Sequence, residues 1–294
     1  MINKLVLGSA NFGLKYGVAN NKKLNKKEIF EILRYAQGLG IFGVDTAKGY
    51  ANAEKILGDY LRLNPGSPFK VITKISHKEY GEVEAVKNEV TDSLEKLNVE
   101  CIDFLLLHSF KTYQEQKATV ITAFDELIKE GKIRRWGVSV YHPDEARQVV
   151  SDGFSNFAVE FPVNIFDRRF LKDDLLKDLK KKNCFLFARS VFLQGLFFLP
   201  GKNLLKGNFQ TVKENVLKIR SLSQRFKIPL SNVLLLFTAS NPYIDGVIIG
   251  VDSIDQLKKN AGIAGNLKNY KKMECLLDEF KVDDEKILLP YLWH

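Results

Sequence analysis

Asp45, Tyr50, Lys74 and His108 follow one another at the ends of three apolar runs, Phe42–Val44, Phe69–Thr73 and Ile102–Leu107. Such runs read as strands buried on both faces. An acid, an amine and an imidazole at successive strand ends need partners once they are buried together, so the pattern points to a shared site. The four residue types suit the reduction of a carbonyl. A phenol is a poor acid at neutral pH, but a neighbouring ammonium favours the phenolate and makes Tyr50 a readier proton donor. Asp45 would hold that ammonium charged and in place. His108 would hydrogen-bond the oxygen of a bound carbonyl and aim it at the Tyr50 hydroxyl.

Positioning these groups takes a set of strands whose ends converge. The chain alternates apolar strand candidates with amphipathic helices: Lys4–Leu7, Phe42–Val44, Phe69–Thr73, Ile102–Leu107, Trp136–Val140, Phe157–Glu160, Cys184–Ala188 and Gly246–Ile249. Eight such units predict a closed (β/α)8 TIM barrel of the α/β class, which keeps its chemistry at the C-terminal strand ends. In the first helix Asn25 and Glu28 form a capping box, Ile29, Ile32, Leu33 and Ala36 make one apolar face, and Gly38 or Gly40 ends it. Ser231–Ser240 is apolar all round and is expected to pack tightly on the barrel, with a further helix around Met273–Phe280. A doubly wound sheet would need a glycine-rich phosphate turn after the first strand. Gly8 and Gly13 lie there without a G-x-G-x-x-G.

Composition agrees. The 294 residues, 45% of them apolar, are enough for one large core, and a single domain over 1–294 is expected. The N-terminus carries no positive-then-apolar leader, and the longest apolar stretches are broken by Arg189 and Gln194, so a cytoplasmic protein without a membrane span is expected. Cys101, Cys184 and Cys275 are far apart and odd in number, which reads as buried free thiols. No H-x-H or H-E-x-x-H spacing suggests a metal centre, and none is expected. The net charge of +9 raises nucleic acid as a partner, but the lysines of NNKKLNKKE, LKDLKKKN and LKNYKK alternate with apolar positions at helical spacing. They read as the solvated faces of outer helices, and no nucleic-acid partner is expected.

The chain resembles the aldo-keto reductase superfamily almost end to end. LVLGSANFG (Leu5–Gly13) resembles its opening strand and loop, and DTAKGYANAEKILG (Asp45–Gly58) its signature of Asp and Tyr five apart followed by Glu and Leu-Gly. Lys74 in VITKIS and His108 in LLLHS match the rest of the catalytic tetrad, and the closing PYLW is similar to the family's C-terminus. The resemblance implies a nicotinamide cofactor and assigns positions to it. Ser139 falls where the family's serine binds the nicotinamide carboxamide, with Val140 in place of the neighbouring asparagine. Glu160 replaces the usual glutamine, and Arg189 stands where many relatives have an aromatic ring that stacks on the nicotinamide. A carboxylate accepts from the carboxamide nitrogen but cannot donate to its oxygen, so the change removes one mode of recognition and adds charge, which Glu160 and Arg189 are expected to offset as a pair. Ser190, Leu193 and Gly195 resemble the pyrophosphate loop, and Gly250, Ser253, Gln256 and Asn260 the adenosine-phosphate segment. Gln256 stands where some relatives use an arginine for a 2′-phosphate, but Lys258 or Lys259 can supply charge, so NADP is expected ahead of NAD.

The expected activity is therefore NAD(P)H-dependent reduction of an aldehyde or ketone, with a sugar-derived carbonyl among the candidates and Tyr50 as general acid. Two alternatives come from other classes: a cofactor-binding accessory or redox-sensing module with little turnover, and a Schiff-base lyase using Lys74. Loops around Asn11–Tyr16, Phe110–Tyr113, Tyr141 and Phe192 are expected to shape the substrate pocket, with the C-terminal tail near its mouth. RSVFLQGL resembles bacterial relatives associated with surface-polysaccharide or sugar metabolism.

Overall fold

The computed structural model describes residues 1–19, 24–76, 78–205 and 207–293. The stretch Asn20–Lys23 of the first lysine-rich run lies outside them. Eight strands run parallel: β1 (Leu5–Gly8), β2 (Gly43–Asp45), β3 (Lys70–Ile75), β4 (Ile102–Leu107), β5 (Ile133–Ser139), β6 (Ala158–Pro162), β7 (Phe185–Arg189) and β8 (Gly246–Ile249). They pair in sequence order, and β1 closes the ring on β8 with Val6 opposite Ile248. The expected barrel is the one found. β4 and β8 have the predicted ends, whereas β5 begins three residues early because Arg134 at the barrel's lower rim, exposed to water, does not interrupt the ladder.

Side chains alternate along a strand, so one parity faces the barrel interior. That parity carries Val6, Ile72, Phe104, Leu106, Ala158 and Phe187, which form a separate buried cluster inside the barrel. Phe104 and Phe187 meet edge to face there at 5.0 Å. Gly137 makes room, since a Cβ on it would lie 2.4 Å from the Ala158 carbonyl oxygen and from Leu106 Cδ2. Outward-facing residues pack against the surrounding helices in the larger core. The helix Lys26–Gly38 has the expected capping box and buries Ile29, Ile32, Leu33 and Ala36. Helix Leu230–Ala239 is buried nearly all round.

Two expectations are corrected near the end of the chain and at the thiols. Residues Glu274–Phe280 form a 3-10 helix that follows an α-helix over Ile263–Met273, so the helical segment starts ten residues earlier than expected. Cys184 is buried, but Cys275 is exposed and Cys101 half-buried; all three are free. In the lysine-rich stretches 176–183 and 267–272, Leu176, Leu179 and Tyr270 face inward while Lys177, Lys181, Lys268 and Lys271 face water. None of the described helices is long and apolar enough to cross a membrane.

Candidate active site

The inward parity that is apolar in the lower barrel turns polar one step further up. Two residues beyond Val6, Gly43, Ile72, Leu106, Gly137, Ala158, Phe187 and Ile248 come Gly8, Asp45, Lys74, His108, Ser139, Glu160, Arg189 and Gly250. The ladders hold Gly8 level with Asp45 and Ser139 level with Glu160. This ring, Lys74 excepted, is the floor of a cavity of about 870 Å³. Tyr50, on the loop after β2, enters from the side, its ring edge-on to His108 at 5.6 Å.

Lys74 sits beneath the floor with no exposed side chain. Its ammonium donates to Asp45 Oδ1 and to the Thr46 carbonyl, the latter at 3.3 Å, and lies 5.7 Å from the centre of the Tyr50 ring. A third partner crosses the barrel: Glu160 Oε2 is 3.0 Å from Lys74 Nζ. The other oxygen of Glu160 accepts from Ser139 Oγ at 3.0 Å and lies 3.3 Å from Arg189 Nε. Arg189 also donates to the Val140 carbonyl and Ser190 Oγ, and its guanidinium lies over the Tyr141 ring at 4.2 Å. The Glu160–Arg189 pair inferred from their substitutions is present as an ion pair. The contact of Glu160 with Lys74 was not foreseen.

A buried lysine and a half-buried arginine thus face two buried carboxylates. Burial pushes Asp45 up, the nearby Glu160 adds to that, and Lys74 opposes it; its carboxyl stands at about 7. Burial also works against ionised Glu160, but Lys74 and Arg189 together outweigh it and hold that carboxyl below its ordinary value. The difference is that Glu160 has two cations and Asp45 one. Burial disfavours the Lys74 ammonium, yet Asp45 and Glu160 more than compensate, and its pKa is raised. A lysine held protonated in this way is not a nucleophile, which argues against Schiff-base chemistry. Burial, opposed by Lys74, raises the Tyr50 phenol. Burial and then Lys74 lower His108 to about 4, so its imidazole is neutral near pH 7 and able to donate a hydrogen bond.

The remaining sequence-assigned residues divide. Ser190, Gly195, Gly250, Gln256 and Asn260 border the same cavity, which extends from the Tyr50–His108 floor to the last strand-to-helix junction. Leu193 does not reach it, being fully buried. Ser253 caps helix Ile254–Ala261 instead, its Oγ accepting from Gln256 N–H. Gln256 Oε1 in turn accepts from Asp252 N–H at 2.8 Å. Of the pocket loops, Tyr16, Tyr141 and Phe192 line the cavity, whereas Phe110 and Tyr113 stack on each other inside the core. The tail reaches the rim through Tyr291, edge-on to Tyr141 at 5.0 Å. Asn11, expected among the pocket loops, lines the cavity and donates through Nδ2 to the Val251 carbonyl and Asp252 Oδ1, whereas sequence reasoning missed Ser231, at the start of helix Leu230–Ala239. It also missed a strap: Val18 N–H donates to the Gln194 carbonyl at 2.9 Å, and Gly195, at φ 95°, would place a Cβ 2.8 Å from Ala19 Cβ.

A closed eight-stranded parallel barrel with an Asp–Tyr–Lys–His set at its C-terminal mouth defines a class of carbonyl oxidoreductases. The sequence matches the aldo/keto reductase family over residues 4–275, and the chain belongs to that family. It is an NAD(P)H-dependent carbonyl oxidoreductase. It is similar to an NADH-specific methylglyoxal reductase of Escherichia coli, 24% identical over 290 residues, covering 86% of this chain and 88% of the relative. An L-galactose dehydrogenase of Arabidopsis thaliana is 26% identical, covering 88% of this chain and 83% of that protein. Among solved structures, an aldo-keto reductase from Bacillus halodurans in its holo form superposes with a TM-score of 0.73 at 22% identity, covering 96% and 94% of the two chains.

Proposed function

We propose that the enzyme reduces a small aldehyde or ketone with NADPH, Tyr50 supplying the proton. The observation that supports this most is the Lys74 ammonium, locked by Asp45 and Glu160 below Tyr50 while Tyr50 and His108 face one open cavity. The cavity suits a dinucleotide. It is long, it passes the glycine of the β7 loop, and Asn11 Oδ1 on its wall is buried without a hydrogen-bond donor among the described residues. Ser139, Glu160 and Arg189 border the end assigned to nicotinamide, Ser190 and Gly195 the middle, and Gly250, Gln256, Lys259 and Asn260 the end assigned to adenosine. Lys259 places a cation at that end, which favours the 2′-phosphate of NADP over NAD.

When bound, the nicotinamide supplies the hydride. The protein's share is positioning and the proton. Neutral His108 donates a hydrogen bond to the carbonyl oxygen, and Tyr50 passes its proton to that oxygen as negative charge develops. Lys74 stays an ammonium throughout and stabilises the phenolate left behind. Tyr16, Tyr141, Phe192 and Phe198 wall the cavity above, which suits a short carbon chain or the flat face of a sugar-derived carbonyl. The methylglyoxal reductase and L-galactose dehydrogenase among its relatives support that size class. The test is a panel of 2-oxoaldehydes, sugar aldehydes and simple ketones assayed by loss of NADPH absorbance, with NADH alongside. Turnover of one of these with NADPH preferred is expected; no oxidation of either nucleotide by any of them would refute the reading.

A further inference from the structure

Glu160 differs from its barrel neighbours in where its charge is spent. Its side chain is 3% exposed, and both oxygens are taken up by protein groups, Oε1 by Ser139 and Arg189 and Oε2 by Lys74. Oε2 makes a charge contact with Lys74 without an aligned hydrogen bond, so the carboxylate is held there by electrostatics and by the position of β6 opposite β3. Asp45 on β2 approaches the same ammonium. A neutral side chain of this shape would fill the space equally well; only the charge distinguishes it.

We propose that Glu160 is a positioning residue of the reduction: as a second carboxylate on Lys74 it divides the ammonium's field between β2 and β6 and draws part of it away from the Tyr50 hydroxyl. The proposal rests on Tyr50 as the proton donor. The groups that face Tyr50 and Lys74 are Asp45 from β2, His108 from the end of β4, Glu160 from β6, Arg189 from β7 and Tyr16 from the loop after β1. When both carboxylates are ionised they balance the two cations. Removing the charge of Glu160 leaves the group net positive, which favours ionisation of both Asp45 and Tyr50. Burial is the main reason Asp45 is raised; Lys74 opposes it, and Glu160 adds to the rise in the sense this arrangement requires.

The test is Glu160→Gln, read first in the free protein. Carbon-13 NMR of aspartate carboxyls, with Asp45 assigned by its loss in Asp45→Asn, should show Asp45 titrating near neutrality and moving to lower pH by at least about one unit in Glu160→Gln. The alkaline limb of kcat/KM for carbonyl reduction should move to lower pH by a similar amount. An unmoved Asp45 titration, or a loss confined to cofactor affinity, overturns the proposal and makes Glu160 a nicotinamide contact alone. Should Glu160→Gln not fold, Arg189→Gln strips Glu160 of its other cation and should shift Asp45 to higher pH; no shift overturns the proposal equally. Full turnover in Tyr50→Phe would remove the proton-donor reading but leave the Asp45 result standing, so the two failures are distinguishable.

Discussion

His108 offers a prediction whose size follows from its surroundings. Burial and the Lys74 ammonium lower its pKa from 6.5 to about 4, so the folded protein resists protonating a side chain that the unfolded chain protonates readily. The folded state therefore binds fewer protons between those values, and stability falls as the pH drops through that window. Each pH unit of separation is worth about 1.4 kcal/mol, giving about 3 kcal/mol lost between pH 6.5 and 4 and no contribution above pH 7. His108→Gln removes the titration and keeps a donor. Urea denaturation of both proteins at a series of pH values isolates the difference, because every other titrating group is common to the two. Wild type should lose about 3 kcal/mol more than the variant on going from pH 7 to pH 4. Parallel curves would refute the reasoning, since they would mean that His108 takes up its proton at an ordinary pH and is no neutral donor in the folded site.

Two further outcomes test the electrostatics at either end of the cavity. Lys74→Met leaves Asp45 and Glu160 facing each other without their shared cation, and should cost about 3–5 kcal/mol in denaturant unfolding at pH 8, less at pH 6 where Asp45 is protonated. A loss below about 1 kcal/mol at pH 8 would contradict the buried ion network. Lys259→Gln should raise KM for NADPH about tenfold and leave KM for NADH nearly unchanged. Equal effects on both nucleotides would show that Lys259 does not discriminate the 2′-phosphate.

Much of this site could be read from the chain because strand periodicity is strict. Once β3 is known to be buried, Lys74 two positions beyond Ile72 must face the barrel interior, and the same step links Ala158 to Glu160 and Phe187 to Arg189. What stayed hidden depends on closure. Lys74 and Glu160 come from strands that do not pair with each other, and only the finished ring brings their side chains together across it. Loop residues were harder still. Leu193 sits in a run with Ser190 and Gln194 in which three non-glycine residues adopt positive φ, so its direction follows no helix or strand rule and it turns into the core. Phe110 and Tyr113 follow a strand end as pocket residues do, but Ser109 caps a helix there and turns both inward. The stacking of Arg189 on Tyr141, and of Tyr141 against Tyr291, joins segments far apart in sequence that carry no pairing signal.

The central claim is that Tyr50 gives up the proton in a site held together by Lys74. Single-turnover oxidation of bound NADPH by a competent aldehyde, compared between wild type and Tyr50→Phe, tests it most directly. The phenyl ring keeps the contact with His108, so NADPH should bind Tyr50→Phe with near-normal affinity while the rate of hydride loss falls by at least about a hundredfold. A rate within a few fold of wild type, with NADPH bound equally well, would contradict the account.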